Sequence, residues 1–267
     1  MRMQLTTALA ALLVSTLAFS DSSGEGTYYG YSGGGNCSFP VPDDIDTAAM
    51  NATDYSASMA CGGVIVVTNT DTDLSVTVRI DDQCPECAEG DVDLSQEAFE
   101  QIAELSTGRI PITWHYIANP VAGNIKLYFK DGSSQYWTAV QVRDHLYPVA
   151  SLAYRQTSSG NDYVSVTRES YNYFVKDAGF GTGPYDFRLT DFCGQSVDID
   201  AISLSVTTEI DTGVQFPTYS GDDCDIAASI SDTSTTTDSD SASNSSGGAL
   251  GLPIVVVLIL GLCRRHR

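Results

Sequence analysis

Basic side chains are scarce in this sequence. Thirteen Lys and Arg stand against 34 Asp and Glu, a formal net charge of −21. That balance excludes nucleic acid as a partner, because phosphates are bound by Lys and Arg that displace their counterions. It disfavours anionic polysaccharides on the same ground, and what remains is a solvated acidic surface whose main consequence is solubility. Histidine is scarcer still, with three residues. His115 and His145 are the only ones upstream of the C-terminal tail, and neither stands at ligand spacing from the single CxxC, Cys84-Pro-Glu-Cys87. A zinc site needs a complete tetrahedral set, so no metal and no cofactor is expected. Long apolar runs are absent as well. The run at 250–263, fourteen residues, spans roughly 21 Å as a helix, short of a ~30 Å hydrocarbon core.

The ends of the chain set the compartment. Arg2, an apolar run over 5–19 and Ala18-Phe19-Ser20 read as a signal peptide over 1–20, which predicts an exported, extracellular or cell-surface protein. Seven cysteines in such a chain are read as disulfides before metal ligands or redox centres. Cys263 lies in the far apolar run, leaving Cys37, Cys61, Cys84, Cys87, Cys193 and Cys224. Six cysteines allow fifteen pairings, and the sequence does not choose among them. The first four are expected to staple loops of a first domain. Cys193 and Cys224, alone in the second, are expected to pair with each other. A zinc half-site or redox pair at Cys84 and Cys87 is the alternative.

Residues 225–246, largely Ser, Thr, Asp and Ala, cannot offset ordering entropy and read as a disordered stalk. The tail at 247–267 joins Gly247-Gly248, the short apolar run and Arg264-Arg265-His266-Arg267. It resembles a bacterial glycine-glycine sorting signal, which would make an intramembrane sorting protease a partner. A transmembrane tail anchor and a lipid-anchor signal are the alternatives.

Between the ends, β-branched and aromatic residues recur in short runs at 64–68, 76–80, 110–117, 125–129, 137–142, 150–154, 163–166, 187–190 and 199–206. Turn residues separate them at 131–132, 159–161 and 181–184. The chain is all-β. One helix is predicted over 95–105, with Ser95 as N-cap and Phe99, Ile102, Ala103 and Leu105 as its apolar stripe. The strands change character near Ala118-Asn119-Pro120, which predicts domains at 21–118 and 119–224.

Several long segments carry a family resemblance: "GTYYGYSGGG" near the start, the stretch from Asp82 to Phe99 with its CPEC and DVDLS, then "GNIKLYFKDGSSQYWTAVQVRDHLYPV", "YNYFV" and "GTGPYDFRLTD". Over 25–216 the sequence resembles expansins, most closely the bacterial expansin-like proteins. The resemblance implies a six-stranded double-psi β-barrel followed by an immunoglobulin-like β-sandwich that binds cellulose, and wall loosening without hydrolysis. Asp93 matches the acid that expansins share with barrel-type endoglucanases, Asp82 a second carboxylate close to it, and Thr27 a groove threonine placed to hydrogen-bond Asp93. The endoglucanases take their base from an N-terminal strand, and the matching stretch here, "TYYGYSGGGNCS", has no Asp or Glu. An inverting glycosidase needs both groups, so hydrolysis is not expected. Cys84 replaces an aromatic that expansins often carry, which removes a stacking ring at that subsite. Asp81, Glu89 and Asp91 read as loop charges, and helix capping is the plainer role for Asp93.

In the second domain, Tyr136, Trp137 and Tyr171 match the aromatic strip of expansins, and Lys130 a basic residue beside it. Tyr at 136 in place of the commoner Trp is expected to weaken binding modestly. Adjacent residues on a regular strand face opposite ways, so one of 136 and 137 is expected to be buried unless a bulge or strand end exposes both; without the resemblance Trp137 would read as core. The expected partner is cellulose or another plant-type wall polysaccharide, bound by a monomer. Two other functions stay open: a lytic transglycosylase acting on peptidoglycan through Asp93, and a non-catalytic polysaccharide-binding surface protein.

Overall fold

Alternate apolar positions along six short segments close the first sheet on itself. The computed structural model describes residues 21–157 and 159–219. Within them run β1 (Ser22–Tyr29), β2 (Asp46–Asn51), β3 (Val64–Asn69), β4 (Ser75–Cys84), β5 (Val92–Ser95) and β6 (Ile110–Ile117). Successive side chains on a strand point to opposite faces. Ile110, Ile112 and Trp114 of β6 therefore meet Val76, Val78 and Ile80 of β4, Ile65 and Val67 of β3, Val92 and Leu94 of β5, and Ala48 and Met50 of β2 in one core. The strand order β1-β5-β2-β4-β3-β6 returns to β1 through its pairing with β6. Two parallel pairs, β1 with β5 and β2 with β4, give the closed sheet its double-psi form.

The helix is shorter than predicted. It covers Gln96–Glu100, and the chain then turns through a 3₁₀ segment at Leu105–Thr107. The stripe was read correctly, since Phe99 and Ile102 are buried in the barrel core and Ala103 and Leu105 pack against it. Phe99, Ile102 and Leu105 are three apart, a spacing that 3₁₀ turns satisfy as well as an α-helix, and Ser106, Thr107 and Gly108 are poor helix formers.

The second sheet is built from β7 (Lys126–Phe129), β8 (Thr138–Arg143), β9 (Val149–Gln156), β10 (Val164–Arg168), β11 (Phe174–Lys176), β12 (Tyr185–Asp191), β13 (Ser196–Ile202) and β14 (Glu209–Asp211). Its order, β13-β12-β9-β10-β11-β8-β7-β14, makes β10 the hinge strand, paired with β9 on one side and β11 on the other. The curl forms the sandwich. Phe129 and Phe187 meet across it with ring centroids 6.3 Å apart, and Phe180 packs on Phe187 at 5.8 Å. The run predicted over 199–206 ends sooner, because β13 stops at Ile202 and Val206 makes only an isolated bridge to Phe129.

The leader, stalk and tail lie outside the described residues. Among the described residues no helix is long and apolar enough to cross a membrane.

Candidate functional site

Strand register brings the sequence-predicted carboxylates together. β2 lies between β4 and β5, and Ala49 on β2 is the partner of both Asp82 on β4 and Asp93 on β5. Asp93 is in turn the partner of Thr27 on β1. Thr27, Asp93, Ala49 and Asp82 thus form one row across four strands, with a methyl group where a larger side chain would separate the two acids.

A β-bulge places Asp82 in that row. Ile80 pairs with Ala48 and Asp82 with Ala49, so Asp81 is an extra residue on β4. One inserted residue inverts the alternation of faces. Ile80, in phase with Val76 and Val78, points into the core, whereas Asp82 emerges beside Asp93. Asp81 itself is fully buried, with Arg79 Nε 2.6 Å from Oδ1 and Nη2 2.8 Å from Oδ2, and the Tyr31 hydroxyl donating to Oδ2 at 3.1 Å. It is no loop charge. Asp91 does lie in the loop before β5, where its carboxylate accepts from the backbone N–H groups of Glu25 and Ala88 at 2.8 and 3.1 Å. The capping role considered for Asp93 belongs to Ser95, whose Oγ accepts from Ala98 N at 3.3 Å.

Thr27 Oγ1 donates to Asp93 Oδ1 at 2.5 Å. Burial raises the Asp93 pKa above the usual carboxylate range, the Thr27 bond opposes the shift, and the charges of Glu86 and Asp82 add to it. Glu86, exposed between Cys84 and Cys87, is a neighbour that sequence reasoning passed over. Asp82 Oδ1 accepts from Asn36 N at 2.6 Å and Gln83 N at 2.8 Å. A Cβ on Gly35 would lie 2.6 Å from Asp82 Cγ, so only glycine lets the loop approach this closely. The stretch over 26–38 contributes Tyr29 and Tyr31, whose pKa values burial also raises, and no carboxylate.

The groove beside Asp82, about 490 Å³, is lined by Gly34, Gly35, Asn36, Ser38, Gln83, Pro85 and, from the other sheet, Tyr171. Cys84 is buried and bonded to Cys87, while Cys37 is bonded to Cys61. Cys193 is also disulfide-bonded; Cys224, its expected partner, lies outside the described residues. No group of three or more His, Cys, Asp or Glu converges for a metal among the described residues.

The two adjacent aromatics precede β8 rather than lie within it, so the alternation that would bury one of them does not apply. Tyr136 is 75% exposed and Trp137 partly exposed. Their turn is fixed from below. Gln135 O accepts from Gly181 N at 3.0 Å, Ser134 N donates to Trp137 O at 2.7 Å, and a Cβ on Gly179 would lie 2.2 Å from Gln135 O. Within β8, buried Gln141 ties the strand to the barrel, its Nε2 donating to Cys37 O at 2.9 Å. Lys130 Nζ lies over the Tyr173 ring at 5.0 Å, and Tyr173 is 5.9 Å from Tyr171. Tyr173, Asn36, Ser38 and Gln83 carried no signal of their own in the sequence; "YNYFV" and the glycine-rich loop marked only their neighbourhoods.

Comparison with known proteins agrees with this geometry. Residues 47–114 match the family described as lytic transglycolase. Expansin-YoaJ of Bacillus subtilis is 34% identical over 216 residues, covering 76% of this chain and 90% of that protein. The crystal structure of apo Clavibacter michiganensis expansin superposes with a TM-score of 0.68 at 29% identity, covering 74% of this chain and all of the other. A mutant of that expansin, with Asn in place of an Asp, has been crystallised with cellohexaose at a TM-score of 0.68 and 28% identity.

Proposed function

The chain belongs to the expansin family, and from that premise we propose that it acts outside the cell, binding cellulose or a related neutral wall polysaccharide and loosening it without hydrolysis. The observation that carries the reading is the exposure of Tyr136 and Trp137 on the turn before β8, in a chain whose groove is lined by Tyr171 and Asp82. The CH faces of a neutral glucan are apolar, so flat rings bind them by burial and stacking with little need for charge. In the strand row with Asp82, Asp93 is an acid with a raised pKa and a hydroxyl donor. It can hydrogen-bond a sugar. The two carboxylates of an inverting hydrolase flank the scissile bond with room for water between them, and the strand that supplies the base in barrel endoglucanases carries none here. Export is supported by the disulfides, which persist in oxidising compartments.

Trp137→Ala tests the binding half. Each aromatic contributes about 0.5–1.5 kcal/mol beyond area burial, so cellulose pull-downs are expected to show affinity reduced about tenfold or less from this term. Unchanged retention on cellulose would remove the strip from the account.

A second reading has its own observation, the match of 47–114 to the lytic transglycolase family around the same protonatable Asp93. In such a reaction the sugar's own hydroxyl replaces water, and one acid suffices. Anhydro-muropeptides released from peptidoglycan, and lost in Asp93→Asn, would favour it.

A further inference from the structure

The groove and the aromatic strip belong to different sheets, yet their lining groups are joined through one barrel loop, in which Asn36 is bonded both to Asp82 and to Ser170 O beside Tyr171. We propose that Asn36 is the positioning residue that holds the Asp82 carboxylate and the Tyr171 ring in one register, so that a single glucan chain meets both. The proposal rests on the glucan reading above and adds to it the residue that joins its two halves.

Asn36 is bonded in both directions. Its backbone N–H donates to Asp82 Oδ1 at 2.6 Å. Its Nδ2 lies 3.0 Å from Ser170 O, 3.1 Å from Gln83 Oε1 and 3.1 Å from the Tyr55 hydroxyl. An amide NH₂ has two donors, and the Tyr55 hydroxyl itself donates to Ser170 O at 2.9 Å. The economical assignment gives one Asn36 hydrogen to Ser170 O and the other to Gln83 Oε1. Two residues on, Ser38 Oγ donates to Tyr171 O at 3.1 Å. The carbonyls before and after the Tyr171 nitrogen and α-carbon are thus both held by the barrel loop that holds Asp82. That loop is stiffened by the Cys37–Cys61 disulfide and by the close approach of Gly35 to Asp82.

Docking of the two sheets does not depend on this amide. Ser58 Oγ donates to Glu169 O at 2.7 Å, Arg168 Nη1 to Ser58 O at 2.9 Å, and Gln141 and Asn172 both donate to Cys37 O, at 2.9 and 3.2 Å. Those bonds remain when Asn36 is changed. What disappears is the Nδ2 link from Ser170 O to Gln83 Oε1, beside Asp82, while the backbone N–H of residue 36 stays on the carboxylate.

The test compares loosening per bound molecule, a ratio that a merely structural loss leaves unchanged. Wild type, Asn36→Ala, Asn36→Asp and Tyr55→Phe, each as the full mature chain, are measured for retention on cellulose and for weakening of cellulose filter strips, with thermal melts alongside. Asn36→Ala is expected to bind within about twofold of wild type and to lose about tenfold in weakening per bound molecule, the fold-change that corresponds to one lost hydrogen-bonded contact. Asn36→Asp, the same shape without the donors, is expected to match it. Tyr55→Phe removes a different bond to the same Ser170 carbonyl and is expected to keep the wild-type ratio. Wild-type ratios in both Asn36 variants, or an equal drop in Tyr55→Phe, would overturn the coupling while leaving the glucan reading intact. A wild type that neither binds nor weakens cellulose would overturn both.

Discussion

Asp93 is harder to ionise in the folded chain than in the unfolded one, because burial outweighs the Thr27 hydrogen bond and the charges of Glu86 and Asp82 add to it. Its folded pKa therefore lies above its unfolded pKa. Between the two values the native state binds more protons, so this group's contribution makes stability rise as pH falls through the folded pKa and leaves it lowest above that pKa. Asn in its place still accepts from Thr27 and never ionises. Urea unfolding over a pH series is expected to show Asp93→Asn more stable than wild type at neutral pH, with the gap closing on acidification. A gap that is constant or widens in acid would refute the assignment. Burial raises the Asp81 pKa too, against the opposing hydrogen bond and charge of Arg79. Arg79→Ala leaves the Asp81 carboxylate unpaired and is expected to cost about 3–5 kcal/mol, again measurable by urea unfolding; a loss within experimental error would mean that Asp81 behaves as the loop charge its sequence position suggested.

The two disulfides of the barrel act over different lengths of chain. Cys37 and Cys61 are 24 residues apart and Cys84 and Cys87 only 3. In the loop-entropy account the first contributes about 3–4 kcal/mol and the second about 2. Replacing Cys37 and Cys61 together by Ser is expected to lower stability more than replacing Cys84 and Cys87, and the reverse order would contradict the account. Elements with strong local character were legible without the fold: 110–117 coincides with β6, and 64–68 and 76–80 fall inside β3 and β4. β1, β2 and β5 were missed. Their segments, SSGEGTYY, DTAAMN and VDLS, are rich in small and polar residues, and cross-strand pairing rather than propensity holds them extended. The same limit hid half of the site. Asp93 and Trp137 could be matched by motif, whereas the row through Ala49 exists only once β2 lies between β4 and β5, and Asn36 meets Ser170 only across 134 residues of chain. The bulge at Asp81 was unreadable for a related reason, since an inserted residue leaves the local pattern of DDQC unchanged and alters only its pairing.

Across the whole molecule, a net charge of −21 and a neutral polymer are compatible only if binding does not run through charge. No counterions are released on such a surface, so cellulose retention is expected to stay level as salt is raised through the range where the Debye length falls from about 30 to about 8 Å. A steep loss of retention over that range would point to an electrostatic mode and to a different ligand. The proposed function has the row of Thr27, Asp93 and Asp82 loosen a glucan without cutting it. Filter-strip weakening and soluble reducing ends, measured together on the wild-type protein and on Asp93→Asn, are the decisive test. Wild type is expected to weaken the strips with no reducing ends above the protein-free control, and Asp93→Asn to leave them intact. Reducing ends that rise in proportion to added wild type and vanish in Asp93→Asn would contradict that function, and their loss in Glu86→Gln as well would identify the missing base.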